Sequence, residues 1–334
     1  MTDLDSQAIT RQLVKALRGR RSQLSLSRRL GFSTNVLYAW ESGRSAPMVT
    51  QFLHMAERSG IDTRQATSRF YVKPPLWLTT LKEYPSRSGV AAFLKNQRGQ
   101  MSLVDLAERS GISRFTLSRW FKGSAEPRLP DFLTILEHTT RRVTDWVSLF
   151  ADPELLPALE QTWKRDQAVR AATYELPWTQ AVLRALELRA YAELPEHRPG
   201  WLATRLGIEP SAEQRALELL ASTGQIQWLG EKWRVLSEGA VDLRRDPTAA
   251  KTQRAFWTSV AAARAKKAEG MFAYNVCGIS ESDLRKLTQM QREFLQAARL
   301  LIAKSHPVER VVLLQTQIFA LDENAASGAP PRSG

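Results

Sequence analysis

Apolar residues in the first half of the chain recur at helical spacing, in short runs separated by glycines and small polar residues. Leu24, Leu26 and Leu30 give one short segment an apolar side, and Gly31 follows it. Glycine adopts the left-handed backbone at little cost and so ends helices. Ser33 comes next, a residue type that accepts hydrogen bonds from the free N–H groups at a helix start. Val36, Leu37 and Trp40 then share one face of a second segment, which Gly43 ends. The pattern predicts two short helices joined by a tight turn, with Trp40 and Leu37 in a core.

The same pattern returns eighty residues later. Laid without gaps over Phe93–Glu137, the segment Leu13–Glu57 is identical at fifteen of forty-five positions. Among these are Arg18/Arg98, Ser22/Ser102, Leu26/Leu106, Gly31/Gly111, Leu37/Leu117, Trp40/Trp120, Gly43/Gly123 and Pro47/Pro127. The chain therefore holds two copies of one small helical domain. Between them Lys73-Pro-Pro-Leu-Trp and Tyr84-Pro-Ser-Arg-Ser-Gly read as a linker, because proline has no N–H to donate. One short helix is expected within it, over about 76–82.

Away from the shared apolar side the copies differ. The second segment of the first copy presents Thr34, Asn35, Tyr38, Ala39 and Ser42, with Arg44 just beyond Gly43. The second copy presents Arg114, Phe115, Ser118, Arg119 and Lys122. A helix fits the major groove of DNA, where asparagine pairs with adenine and arginine with guanine in two-bond contacts. Asn35, Arg114 and Arg119 are candidates for such contacts. A common scaffold with unlike outer faces suits two modules that read different sequences.

The second half predicts helices over Trp178–Glu193, Pro199–Leu206 and Ser211–Ser222. A hairpin follows, from Gln225-Ile-Gln-Trp and Trp233-Arg-Val-Leu. Three helices and a hairpin make a winged-helix-like unit. Glu213 and Glu218 beside Arg215 make its third helix a poor fit to phosphate, so a structural or dimerising role is expected. Beyond it, helices over Arg254–Gly270 and from Ser280 to about Lys304, with strands over Met271–Cys277 and Arg310–Leu321, predict a small α+β unit. The Ala-, Pro-, Ser- and Gly-rich segment 324–334 is expected to be a disordered tail.

Charge separates the two halves. Up to Phe150 there are 23 basic and 12 acidic residues, and thereafter 24 and 22, so nearly all of the net charge of +13 lies in the first half. A basic half joined to a near-neutral one suits a module that meets polyanions joined to one with another task. The one cysteine, Cys277, cannot form an intrachain disulfide, the opening residues are unlike a signal peptide, and no apolar run is membrane-spanning in length, so a cytoplasmic, nucleoid-associated location is expected. His54, His138, His197 and His306 are scattered without metal-ligand spacing, and no phosphate loop or nucleophile motif occurs. No enzyme activity, metal or cofactor is expected.

Both copies resemble the phage-repressor and Cro type of helix-turn-helix, the xenobiotic-response-element family. The residues that carry the resemblance are Leu26, Leu30, Gly31, Phe32, Ser33, Leu37, Trp40, Gly43 and Pro47, and in the second copy Leu106, Gly111, Ile112, Ser113, Leu117, Trp120, Gly123 and Pro127. The likeness covers about Ile9–Phe70 and Val90–Phe150, and implies five helices per copy and double-stranded DNA as partner. It also implies that Gln23, which opens the first helix of the motif, touches a phosphate; its counterpart Leu103 cannot. The acid that often follows the tryptophan is present as Glu41 and replaced by Phe121. From about Asp152 the chain resembles a domain of unknown function found behind such modules in bacterial regulators, on the runs Leu202-Ala-Thr-Arg-Leu-Gly-Ile, Gly278-Ile-Ser-Glu-Ser-Asp-Leu and Gln315-Thr-Gln-Ile-Phe-Ala-Leu.

The expected fold is thus mainly α. Two tandem repressor-like helix-turn-helix domains at 1–72 and 89–150 flank a linker at 73–88, followed by the winged-helix-like unit at 151–245 and the α+β unit at 246–323. The expected function is transcriptional regulation, with the C-terminal half serving homodimerisation or effector sensing. The alternative is an adaptor or antitoxin-like protein that uses the same modules to hold protein partners.

Overall fold

The computed structural model describes residues 4–71, 74–236, 247–267 and 270–322, and among these the chain is mainly α-helical. The first copy folds as α1 (Ser6–Arg18), α2 (Gln23–Arg29), α3 (Val36–Glu41), α4 (Val49–Arg58) and α5 (Thr63–Arg69). After the linker helix α6 (Leu76–Thr80), the second copy repeats the order as α7 (Arg87–Arg98), α8 (Leu103–Ser110), α9 (Arg114–Lys122), α10 (Leu129–Thr140) and α11 (Val143–Val147). Shared residues act alike in the two copies. Ser22 and Ser102 cap α2 and α8 by accepting from the backbone N–H three residues on, at 3.1 and 3.0 Å.

The copies do not form separate cores. A single apolar cluster runs from Ile9 through Leu94 and Leu136 to Leu159. Helix α1 of the first copy lies on α10 of the second, and α7 of the second lies on α4 of the first. Phe70, just after α5, meets Phe93 of α7 at 5.4 Å between ring centres, and Phe150, just after α11, meets Phe52 of α4 at 5.2 Å. Trp146 of α11 sits against Phe52 at 5.6 Å and Phe132 at 4.9 Å, so one ring serves both copies.

The seam is made by backbone. The first N–H groups of a helix have no partner within it. Here the first N–H of α4, on Val49, donates to the carbonyl of Pro127 at 3.2 Å, and the first N–H of α10, on Leu129, donates to the carbonyl of Pro47 at 2.8 Å. Met48 and Arg128 thereby pair in an antiparallel bridge. Val49 and Leu129, and likewise Pro47 and Pro127, are counterparts eighty positions apart, so the two bonds are reciprocal and the contact is a local two-fold.

The linker is fastened to this body. Arg64 donates to the carbonyls of Leu78 and Leu81 at 2.6 and 2.9 Å, and the Thr67 and Tyr84 hydroxyls are 2.7 Å apart. A helical turn at Pro153–Leu155 brings Leu156 and Leu159 into the same core, and α12 (Glu160–Glu175) follows. The sequence pattern did not predict α12. It buries Trp163, Val169 and Ala172 together with a charged residue, Arg170, so no clean apolar stripe marks it. Arg170 donates to Asp145 of α11 at 2.8 Å, and Arg142 donates to the same carboxylate at 3.3 Å.

A second core gathers α13 (Trp178–Ala185), α14 (Arg189–Ala192), α15 (Trp201–Leu206), α16 (Pro210–Ser222) and the hairpin β1 (Ile226–Leu229) and β2 (Lys232–Val235). In the hairpin Ile226 faces Val235, and Trp228 faces Trp233 with ring centres 5.1 Å apart. The single helix expected over Trp178–Glu193 is two, because the chain turns after Leu186 to bury both Leu186 and Leu188. Glu213 is not on the outer face of α16. It is buried, and its carboxylate accepts from the backbone N–H groups of Gly200 at 3.1 Å and Ala203 at 2.5 Å, stabilising the start of α15.

Helix α17 (Pro247–Lys266) returns to α12, where Gln253 donates to the Thr173 carbonyl at 2.6 Å, and packs Trp257 on Trp178 at 5.3 Å. Helix α18 (Glu281–Ala303) begins at its predicted cap, Ser280, whose hydroxyl accepts from the Asp283 N–H at 3.1 Å. The expected α+β unit is not formed. Residues 271–277 and 310–321 are in no strand, and β1–β2 is the one sheet among the described residues. Their β-branched and aromatic residues favour extended backbone, but a strand also needs a neighbour to complete its ladder, and neither segment has one. The tail expected at 324–334 lies outside the described residues. Among the described residues no helix is long and apolar enough to cross a membrane.

Two predictions follow from this packing. Trp146→Ala should lower stability by about 3–5 kcal/mol, since a large buried ring leaves a cavity. Because Trp146 serves both copies, the loss should appear as one shifted transition for the N-terminal half in a calorimetric melt; an unshifted first copy would contradict the shared core. The second concerns His197, whose Nδ1 is 3.2 Å from the Tyr191 hydroxyl and whose Nε2 is 3.9 Å from Glu213. Burial pushes its imidazole below the usual value, opposed by the Glu213 carboxylate. The folded state thus binds fewer protons at His197 than the unfolded state, whose histidine titrates near about 6.5, and stability falls as pH drops from there toward the lower folded value. Urea midpoints measured across that window should decline less steeply in His197→Gln than in wild type; equal slopes would rule this histidine out.

Candidate nucleic-acid interface

In the second copy, Ser113 caps α9 through its hydroxyl, which accepts from the Thr116 N–H at 3.2 Å, and Gly123 ends the helix in the left-handed conformation. Leu117 and Phe121 point into the core, which leaves Arg114, Phe115, Arg119 and Lys122 exposed and Ser118 half-buried. The Arg114 guanidinium lies over the Phe115 ring at 5.8 Å, and that ring is 77% exposed. No acidic residue lies on this helix. The five predicted residues therefore form one continuous face. Trp120 is half-buried rather than central to the core. Phe121, at the next position, takes the buried place, and Trp120 packs against its edge.

The first copy departs from this in detail. Its helix α3 starts at Val36, two positions later than the counterpart of α9, so the cap is not Ser33 but Asn35. The Asn35 side-chain oxygen accepts from the Tyr38 N–H at 3.3 Å and from the Ser27 hydroxyl at 3.4 Å. The Asn35 oxygen thus serves as the cap of α3, and the side chain is exposed. Thr34 and Asn35 lie in the turn before the helix and are exposed, Tyr38 is exposed, and Ala39 is half-buried. Arg44 is exposed and lies over the Tyr38 ring at 5.1 Å. Here too the predicted residues share one side.

Between these helices and their supports, the copies use opposite chemistry at equivalent places. In the first, Arg18 of α1 donates to both oxygens of Glu41, through Nε at 2.5 Å and Nη2 at 3.3 Å, and Gln23 donates to the same carboxylate at 2.7 Å. In the second, Arg98 lies over the ring of Phe121 at 5.0 Å, and Leu103 packs on the core. The side-chain Nε of Arg98 is buried without a hydrogen bond, and burial pushes its pKa down. The arginine is kept, and its polar partners are replaced by an aromatic ring and a leucine. Gln23 uses one of its two amide hydrogens on Glu41, which leaves the second to donate at the start of α2. At the equivalent start of α8, the Lys304 ammonium just beyond α18 pairs with Asp105 at 3.3 Å and, with the Ser102 hydroxyl, holds that carboxyl below its usual range. No spacing rule connects residues 105 and 304, so sequence reasoning missed this contact.

Among the described residues no group of histidine, cysteine and acidic side chains could hold a metal ion. No curated protein and no solved structure matches the chain. Residues 94–143 match the family model described as helix-turn-helix, and residues 164–321 match that of a domain of unknown function, DUF4423. The chain therefore carries a helix-turn-helix domain in its second copy, followed by a DUF4423 domain.

Proposed function

We propose that the protein is a sequence-specific DNA-binding transcriptional regulator in which α3 and α9 each enter a major groove. The observation that carries this reading is the outer face of α9: three exposed cations, Arg114, Arg119 and Lys122, beside one exposed ring and without an acid, on the half of the chain that holds the net charge. Such a helix matches the width of the major groove and the acceptors of guanine. The equivalent turn and helix of the first copy, supported by Gln23 and Arg44, form the second reader. On this reading the unit of α13, α15, α16 and the hairpin is winged-helix-like and structural, and no catalysis is involved. The C-terminal half serves dimerisation or effector sensing. Helix α18 supports that role: it buries no residue, although Met290, Phe294, Leu301 and Ile302 make it partly apolar. A second reading, a protein-binding adaptor, rests on the exposure of Phe115 and Tyr38 at the centres of the two faces.

Salt separates the readings. Binding through phosphates weakens log-linearly with salt, by a slope near 0.9 per phosphate neutralised. A steep slope on duplex DNA is expected here, and no affinity for duplex DNA even at low salt would favour the adaptor. On a cognate site, Arg114→Ala and Arg119→Ala should each cost about 1–3 kcal/mol and relax specificity at one base pair. Unchanged affinity and base preference in both variants would remove α9 from base readout.

A further inference from the structure

We propose that one chain is a complete reader of an inverted DNA site, its two unlike half-sites facing each other across the internal two-fold of the N-terminal half. This rests on the DNA-binding reading above and adds the arrangement of the site and the number of chains that occupy it.

The geometry starts at the seam. The bond from Val49 to Pro127 is answered by the bond from Leu129 to Pro47, between residues that correspond in the repeat, and Met48 faces its own counterpart Arg128. A tandem array of copies joined head to tail would not give reciprocal contacts. A two-fold rotation leaves height along its axis unchanged, so α3 and α9 lie at the same level and a duplex laid across the axis meets both. The seam also limits their separation. Only five residues run from Gly43 to Met48, and five from Gly123 to Arg128. At full extension each stretch covers at most about 17 Å, so the ends of the two helices lie within roughly 40 Å of one another. Successive major-groove faces on one side of a duplex are about 34–36 Å apart. The spacing is held by the common core rather than by the Pro74-Pro75 linker, since Trp146 contacts Phe52 and Phe132 together.

The axis relates the scaffolds but not the readers. Arg114, Arg119 and Lys122 on one side stand where Thr34, Ala39 and Ser42 stand on the other. The preferred DNA is therefore inverted in layout and different in its two sequences. A palindrome of either half would leave one helix mismatched.

The test selects bound duplexes from random DNA with the full-length chain. The expected product is two unlike half-sites in inverted orientation at one spacing. Reversing one half-site into a direct repeat, or inserting about five base pairs between the halves, should weaken binding roughly tenfold or more. A mixture of two variant chains then tests whether both halves are read by the same chain. One chain carries Thr34→Ala with Tyr38→Ala, the other Arg114→Ala with Arg119→Ala, all at exposed positions. Mixing them should not restore binding to the two-part site. Equal binding to direct and inverted layouts, a palindromic product, or recovery of binding in the mixture would each overturn this proposal while leaving DNA binding intact. Failure to select any duplex would instead overturn the reading on which it rests.

Discussion

A helix that begins in the interior of a protein must place its first N–H groups somewhere, because an unpaired buried donor is costly. In this chain two helices, α4 and α10, solve the problem for each other. The Val49 and Leu129 N–H groups each find the carbonyl of a proline in the other copy. Proline suits the place: it offers an acceptor and presents no N–H of its own that would need a partner. From this small exchange the rest follows. It brings α1 onto α10 and α7 onto α4, sets Phe70 and Phe150 into the opposite copies, and leaves α3 and α9 on the outside in a fixed relation.

The two copies show how far one scaffold tolerates different chemistry. The place filled by Arg18, Gln23 and Glu41 in the first is filled by Arg98, Leu103 and Phe121 in the second. Replacing a charged network by apolar residues is often neutral when all members change together, whereas removing a single partner strands a charge. The set has changed here except for the arginine, and the ring of Phe121 provides that arginine with a surface that favours a cation. The caps of α2 and α8 coincide, as do the core leucines Leu26/Leu106 and Leu37/Leu117, whereas α3 and α9 differ in their caps and in the burial of Trp40 and Trp120.

Much of this was legible in the sequence. The repeat, the cap of α9 at Ser113 in the place predicted for Ser33, the glycines that end α8 and α9, and the outward residues of α9 all depend on local spacing, which the sequence displays. Ser280 capped the predicted helix for the same reason. The features that were not legible depend on distant partners. Pro47 and Pro127 read as the end of a motif, and nothing local says that they face each other's helices. Helix α12 was hidden because Arg170 is buried against Asp145, which reverses the usual rule that charge marks the outside. Glu213 misled in the same way, and the Val- and Leu-rich run at 310–321 had strand propensity without a strand to join. The cap of α3 was also misplaced: Ser33 has the residue type of a cap, but the helix starts two positions later and Asn35 caps it.

The account depends most on the reciprocal seam, and amide hydrogen exchange in the full-length protein tests it directly. The first N–H of an ordinary helix exchanges rapidly, because it has no partner. The Val49 and Leu129 amides should instead be protected together and exchange only when the N-terminal half unfolds as a unit. Fast exchange at either position would show that the two copies are not joined in this way.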